Sequence, residues 1–390
     1  MKRAFTLLVC VTIAALSSAA QAAAQAEMPA PAESSAPLFP VVQNGKWGYI
    51  NSGGQVVIEP QFAGVEKKTT RMVFAIREAG VVQFAAAPEF PRVESFCEGL
   101  AAVCDPRSGK WGYIDNTGNM AIKPQFAKAY GFSEELAAVV VDGKCGYIDK
   151  SGSIVIAPQF DYGLAFSEGL ARVTAGEKYG FIDKTGRMVI KPEFVWALSF
   201  SEGRAAVHSV AWRKGNIFKG RAGRYEGKFG YIDRAGKMVI DRQFVLAGHF
   251  SERLAAVLVP DKLKWGYING TGKMVIEPQF DNATWFSEGL AGVLIGSTVT
   301  GNWGFIDRTG KVVIEPRFGA PGQFSEGLAD VRVGDAETGK RGYIDTTGNV
   351  VIGPQFDETD EFCRGLARVK VGEKWGYIDK TGKYVWQPQG

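Results

Sequence analysis

The sequence predicts an all-β tandem-repeat protein, built from three-stranded antiparallel units stacked into an open β superhelix or solenoid, with a β-propeller-like closed ring as the alternative. Three observations carry this expectation. A Trp-Gly-Tyr-Ile-Asp-like core recurs, starting at Trp47, Trp111, Cys145, Tyr179, Phe229, Trp265, Trp303, Arg341 and Trp375. The distance from that first residue to the Phe of a Pro-Gln-Phe triplet does not vary, as in Trp47 to Phe62, Cys145 to Phe160 and Arg341 to Phe356. Length changes gather in one place, between the last Val of a unit and the next core. Self-similarity at a fixed period is the signature of repeat architecture, because a unit of this size cannot bury its apolar face alone.

Each element follows from local chemistry. Trp265-Gly266-Tyr267-Ile268 alternates large and small side chains, the period-two pattern of a strand. Asn269 and the Asp at the same place in other cores accept backbone hydrogen bonds two residues on, and a Gly closes the turn with positive φ. Lys273 to Ile276 reads as the returning strand, which Pro278 should end because it cannot donate to a ladder. Phe280 and Phe286 read as plugs beneath a surface crossing. Ser287-Glu288-Gly289 reads as a bend, with Glu288 a solvated residue. Leu290 to Val293 is the third strand. The domain spans 38–390 in about ten units, with one degenerate unit at 77–110 and an insertion at 208–228. The ring alternative rests on the ends: Leu38 to Gly45 resembles a lone third strand, and Gln389-Gly390 follows two strands of a unit.

Residues 1–22 read as a secretory signal peptide. Lys2 and Arg3 precede a short apolar run, and Ala20-Gln21-Ala22 fits a cleavage site. Residues 23–37 read as a flexible linker rich in Ala, Pro and Ser. The expected location is periplasmic or secreted, with no transmembrane segment after signal removal. Cys97, Cys104, Cys145 and Cys363 match no metal-ligand spacing, so mostly free thiols are expected.

These cores and spacings resemble the bacterial WG-repeat (KWG-repeat) family over nearly all of Leu38 to Gly390. The likeness implies a β-rich repeat module and supplies no catalytic residues. Departures are Cys145, Tyr179, Phe229 and Arg341 at the Trp position, Arg242 in place of Pro, and Lys68 where a plug Phe would stand.

The charge balance, 45 Lys+Arg against 41 Asp+Glu, gives no general drive toward nucleic acid. A residue type present in every unit is read as structure first, since an active site needs a constellation at one place. His208 and His249 sit in no metal or triad pattern. His249 precedes Phe250 at a position where units vary, and is read as structural. The stacked Trp/Tyr row is read as core, with an exposed ladder for carbohydrate stacking as the alternative. The irregular feature is the insertion, where Trp212, Arg213, Lys214, Phe218, Lys219, Arg221, Arg224 and Tyr225 mix cations with aromatic rings, suited to a polyanion or sugar acid. Its alternative is a solvated loop. The expectation is a non-catalytic binding or scaffold surface without cofactor or metal, meeting a protein or cell-envelope polymer. The alternatives are a structural envelope component or a polysaccharide- or peptidoglycan-acting enzyme.

Overall fold

The computed structural model describes residues 36–63, 75–76, 82–83, 95–209, 228–296, 301–334 and 338–389. Among them every regular element is a strand, and none is a helix that could cross a membrane. The strands form nine meandering sheets, seven of four strands and two of three, with a small ribbon pairing Ala75–Ile76 and Val82–Gln83. We number the sheets as blades in chain order. Blade 1 holds Leu38–Gln43, Lys46–Asn51 and Val56–Ala63; blade 2 holds Leu100–Cys104, Trp111–Asp115 and Met120–Phe126. Blade 3 holds Lys128–Ser133, Leu136–Val141, Lys144–Ile148 and Ile154–Phe160. Blades 4 to 9 span 162–194, 196–244, 246–280, 282–318, 320–356 and 358–389.

The sheets divide the chain differently from the sequence motif. Leu290–Ile295 does not complete the sheet of the preceding core. It pairs with the following one, Leu290 opposite Asp307 and Val293 opposite Gly304. The stretch read as a surface crossing is instead the first strand of the next sheet, as Asn282–Ala283 pairs with Leu294 and Val293. Each regular blade therefore has four strands and not three. Pro278 does not end its strand either; Met274–Phe280 runs through it, with the register against the core strand shifting between Trp265 and Tyr267. A proline is tolerated at such an irregularity because no ladder donor is required there. The degenerate unit at 77–110 makes no four-stranded sheet of its own among the described residues, and its Leu100–Cys104 serves blade 2.

The blades join through one repeated contact. The core aromatic of each blade is buried and meets the plug Phe of the next: Tyr49 with Phe96, Tyr113 with Phe132, Tyr147 with Phe166, Phe181 with Phe200, Tyr231 with Phe250, Tyr267 with Phe286, Phe305 with Phe324 and Tyr343 with Phe362. Ring centroids lie close to 5 Å apart, 4.9 Å for Tyr267–Phe286, within the range where tilted aromatic pairs attract. The Tyr hydroxyls also donate across the joint, Tyr267 Oη to the Thr284 carbonyl at 2.8 Å and Tyr343 Oη to that of Asp360 at 2.8 Å.

The same contact joins the last blade to the first. Tyr377 of blade 9 packs on Phe39 of blade 1 at 5.6 Å and donates to the Pro40 carbonyl at 2.9 Å. Phe39, Val41, Ile50, Leu366 and Tyr377 share one buried cluster. Blade 1 has no first strand among the described residues, hence no plug Phe. Other blades place an Ala opposite the plug, as Ala137 faces Phe132; blade 1 places Phe39 at that register, and its ring fills the vacant volume. The turn glycines close the circle as well. Gly152 abuts Ile122 of the blade before it, Gly310 abuts Ile276, and Gly54 of blade 1 abuts Val385 of blade 9.

The open superhelix expected from the sequence is thus overturned. The chain is a closed ring of nine blades, a β-propeller, which was the alternative. The fourth strands are the outer ones, because alternate residues on them face solvent, Val57, Val155, Val275 and Val351 being 43–45% exposed. The first strands consequently form the inner wall.

Candidate functional site

The inner wall is set by two framework devices. At the bend after each plug, the Ser hydroxyl donates to the plug carbonyl of the next blade: Ser133 to Phe166, Ser167 to Phe200, Ser201 to Phe250, Ser251 to Phe286, Ser287 to Phe324 and Ser325 to Phe362, all at 2.7 or 2.8 Å. The following Glu accepts from a bend amide of the next blade: Glu134 from Gly169, Glu168 from Gly203, Glu252 from Gly289, Glu288 from Gly327 and Glu326 from Gly365. Cations from the next blade's turn join several of them, such as Lys184 with Glu134 and Arg234 with Glu168. The repeated Glu is thus an inter-blade link and not merely a solvated bend. It adopts positive φ, 53° at Glu288, which costs strain that the link offsets. The repeated core Asp is a turn residue, as the sequence suggested: Asp307 accepts from the Thr309 and Lys311 amides at 2.9 and 3.1 Å, and the Thr309 hydroxyl holds its carboxyl below the usual range.

Against this self-satisfied frame one register stands apart. The residue before each plug Phe lies on the inner wall and changes from blade to blade: Gly131, Ala165, Ser199, His249, Trp285, Gln323 and Glu361 in blades 3 to 9. Four consecutive blades, 6 to 9, carry the large and polar members. One neighbouring pair meets, His249 and Trp285 having ring centroids 5.0 Å apart. Gln323 is 7% exposed, while His249, Trp285 and Glu361 are half-buried. Among the described residues, no hydrogen bond engages the Gln323 amide, the Trp285 indole N–H, either His249 nitrogen or the Glu361 carboxyl. None of these groups is among the fully buried unpartnered atoms of the described residues, so each keeps contact with solvent as an open donor or acceptor.

Electrostatics distinguish the same wall. Burial lowers His249 to about 4, so the imidazole is neutral near pH 7. Burial, with Asp330 and Asp360 nearby, raises Glu361 to about 7. Those two neighbours are committed elsewhere. Asp330, 4% exposed, binds Arg341 Nη1 and accepts from the Thr359 hydroxyl at 2.8 Å. Asp360 accepts from Arg368 Nε at 2.8 Å and Nη2 at 2.7 Å. Gly322 makes room for Asp330, since a Cβ there would overlap its carboxylate. Arg341, a departure at the Trp position, is explained by this ion pair.

The sequence-predicted candidates Trp212, Arg213, Lys214, Phe218, Lys219, Arg221, Arg224 and Tyr225 lie outside the described residues, as does the proposed signal peptide. Sequence reasoning noticed that the position before Phe250 varies and read it as structural. Variation at one register inside an otherwise fixed repeat was the usable signal. Cys97, Cys104, Cys145 and Cys363 form no disulfide among the described residues; Cys97 and Cys363 occupy the bend Ser position, and Cys145 occupies the Trp position. Among the described residues no cluster of His, Cys, Asp or Glu could hold a metal.

Fold and wall together define a nine-bladed propeller with one chemically distinct arc on its inside. A family profile described as WG containing repeat matches residues 47–66, 111–145, 146–179, 179–207, 229–262, 265–298, 303–335, 342–375 and 375–389. The chain belongs to the WG-containing repeat family. No curated protein sequence matches it. Among solved structures it is similar to the β-propeller domain of the Trilobed protease from Pyrococcus furiosus, at 11% identity over 65% of this chain and 93% of that one, TM-score 0.35. It is similar to a Pyrococcus horikoshii acylaminoacyl peptidase, at 9% identity over 77% of this chain and 52% of that one, TM-score 0.40. A streptogramin B lyase structure matches at 14% identity over 66% and 95%, TM-score 0.33. At these scores the likenesses carry no argument about activity.

Proposed function

We propose that this propeller is a non-catalytic binding module that acts outside the cytoplasm and holds its ligand against the inner wall of blades 6 to 9. The observation that carries the reading is the set of unpartnered polar groups at His249, Trp285, Gln323 and Glu361, in a frame whose other repeated polar groups bond to one another. A site prepared for a ligand leaves donors and acceptors open where a purely structural ring would close them. Binding is favoured over turnover by the carboxyl groups. Acid–base cleavage of a glycosidic bond requires two free carboxyls, whereas Glu361 faces Asp330 and Asp360, each already paired with an arginine. The exported location rests on the leader-like residues 1–22.

The test is capture from an envelope extract on the immobilised mature protein, beside a Trp285→Ala/Gln323→Ala double variant of matched thermal stability. The expected result is a component retained by the parent and lost by the variant. Equal retention by both, or loss only when residues 210–227 are deleted, would overturn the inner-wall assignment.

A further inference from the structure

The open groups on the wall have a specific chemical character. Trp285 and His249 meet at 5.0 Å with their ring planes 46° apart, an apolar corner against which the C–H bonds of a ligand can pack. At the same register the next two blades carry the Gln323 amide, which both donates and accepts, and the Glu361 carboxyl. Fixed charge is scarce there. The nearby guanidinium groups of Arg341 and Arg368 are neutralised by Asp330 and Asp360, and at the other end of the arc Arg204 is stacked on Phe250 at 5.5 Å, so a polyanion meets no cluster of open cations among the described residues. A cation would meet a single carboxyl, without the cluster that a metal needs.

From this juxtaposition we infer that the inner wall of blades 6 to 9 binds an uncharged carbohydrate, a neutral hexose or N-acetylhexosamine chain whose C–H face lies on Trp285 and His249 while its hydroxyl or amide groups bond Gln323 and Glu361. The inference rests on the binding function proposed above and specifies its ligand class. Sugars present alternating apolar faces and vicinal hydroxyls, and burying a hydroxyl is tolerated only where a partner awaits it. Gln323, more than nine-tenths buried and unbonded by the described residues, is such a partner. A flat apolar peptide would leave the Gln323 amide unsatisfied, and an acidic glycan would bring its carboxylates against Glu361.

The test uses the full mature chain titrated with chitotetraose, cellotetraose and maltotetraose, followed by tryptophan fluorescence and calorimetry, with a polygalacturonate fragment as the charged control. Saturable binding of at least one neutral tetrasaccharide is expected, weakened at least about tenfold by Trp285→Ala and measurably by Gln323→Ala. Glu361→Gln keeps a donor and an acceptor at that place and should change affinity by less than about threefold. Preference for the charged fragment, or neutral binding indifferent to Trp285, would overturn the inference. If no tetrasaccharide binds while capture from the extract still depends on Trp285 and Gln323, the ligand class is wrong and the site is right. If neither depends on them, both readings fail.

Discussion

Replacing Gly266 by Ala tests why a glycine follows the first residue of every core. Its φ is not in the left-handed region, so backbone freedom is not the reason. Space is the reason. A Cβ on Gly266 would stand 2.5 Å from the Ile276 carbonyl oxygen, 2.9 Å from Pro278 N and 3.1 Å from Glu277 C. All three are backbone atoms of the adjoining fourth strand, so no flexible side chain can yield. Ordinary contact would require that strand to withdraw by several tenths of an ångström, against its pairing of Trp265 with Phe280 and Tyr267 with Ile276. Overpacking of this kind costs about 3 kcal/mol. Gly289 supplies the control. It has φ +80° with nothing within 4 Å of an added Cβ, so Ala there carries only the left-handed penalty of about 1–2 kcal/mol and keeps the amide that Glu252 accepts from. Urea unfolding followed by tryptophan fluorescence should separate the two variants by at least about 1 kcal/mol, with hydrogen exchange locating the loss in blade 6. Equal stability of Gly266→Ala and Gly289→Ala would refute the close-approach argument.

Other outcomes follow from the joints and the wall. Glu252→Ala removes the acceptor of the Gly289 amide and should cost about 1–2 kcal/mol in chemical denaturation, whereas Arg364→Glu should gain nothing, since blade 1 offers no bend amide among the described residues. Tyr267→Phe loses only the hydroxyl bond to Thr284 and should cost about 1 kcal/mol by the same assay. Glu361 holds its proton up to about pH 7 in the fold and releases it near 4.5 when unfolded. The unfolded chain thus binds fewer protons between those values, and stability falls as pH rises through that window, by about 1–3 kcal/mol for a half-buried group. Glu361→Gln should flatten that part of the stability–pH curve, as measured by urea midpoints at pH 4.5 and pH 8.

Strands, turns and period were legible in the sequence because they are local. Trp265 to Ile268 alternates, and Asn269 with Gly272 makes the turn. The first strands were not legible. Asn282–Ala283 is two residues long and the chain then leaves the ladder before Phe286, so no period-two pattern forms and the aromatic pair reads as plugs. The pairing of Leu290–Ile295 with the next core was ambiguous, because apolar strands on either side are chemically alike. Closure depends on an angle accumulated over nine joints, which no single unit encodes. Beyond the partial units at the two ends, a local trace is Phe39 in place of the Ala found at that register elsewhere, visible only once the plug opposite is known. The candidate site escaped for a related reason. Neighbouring blades lie some 36 residues apart at His249 and Trp285, so their meeting is a property of the ring.

The seam between blades 9 and 1 gives the circle a mechanical polarity. Inside a blade, load along the chain is shared by a row of backbone bonds that must break together. Across the seam it falls on the Phe39–Tyr377 contact, the Pro40 bond and the apolar cluster around them. Tension applied between Leu38–Gln43 and Tyr384–Gln389 would therefore unzip the circle there before any blade yields, and a tethered protein of this build would lengthen under strain from one defined point.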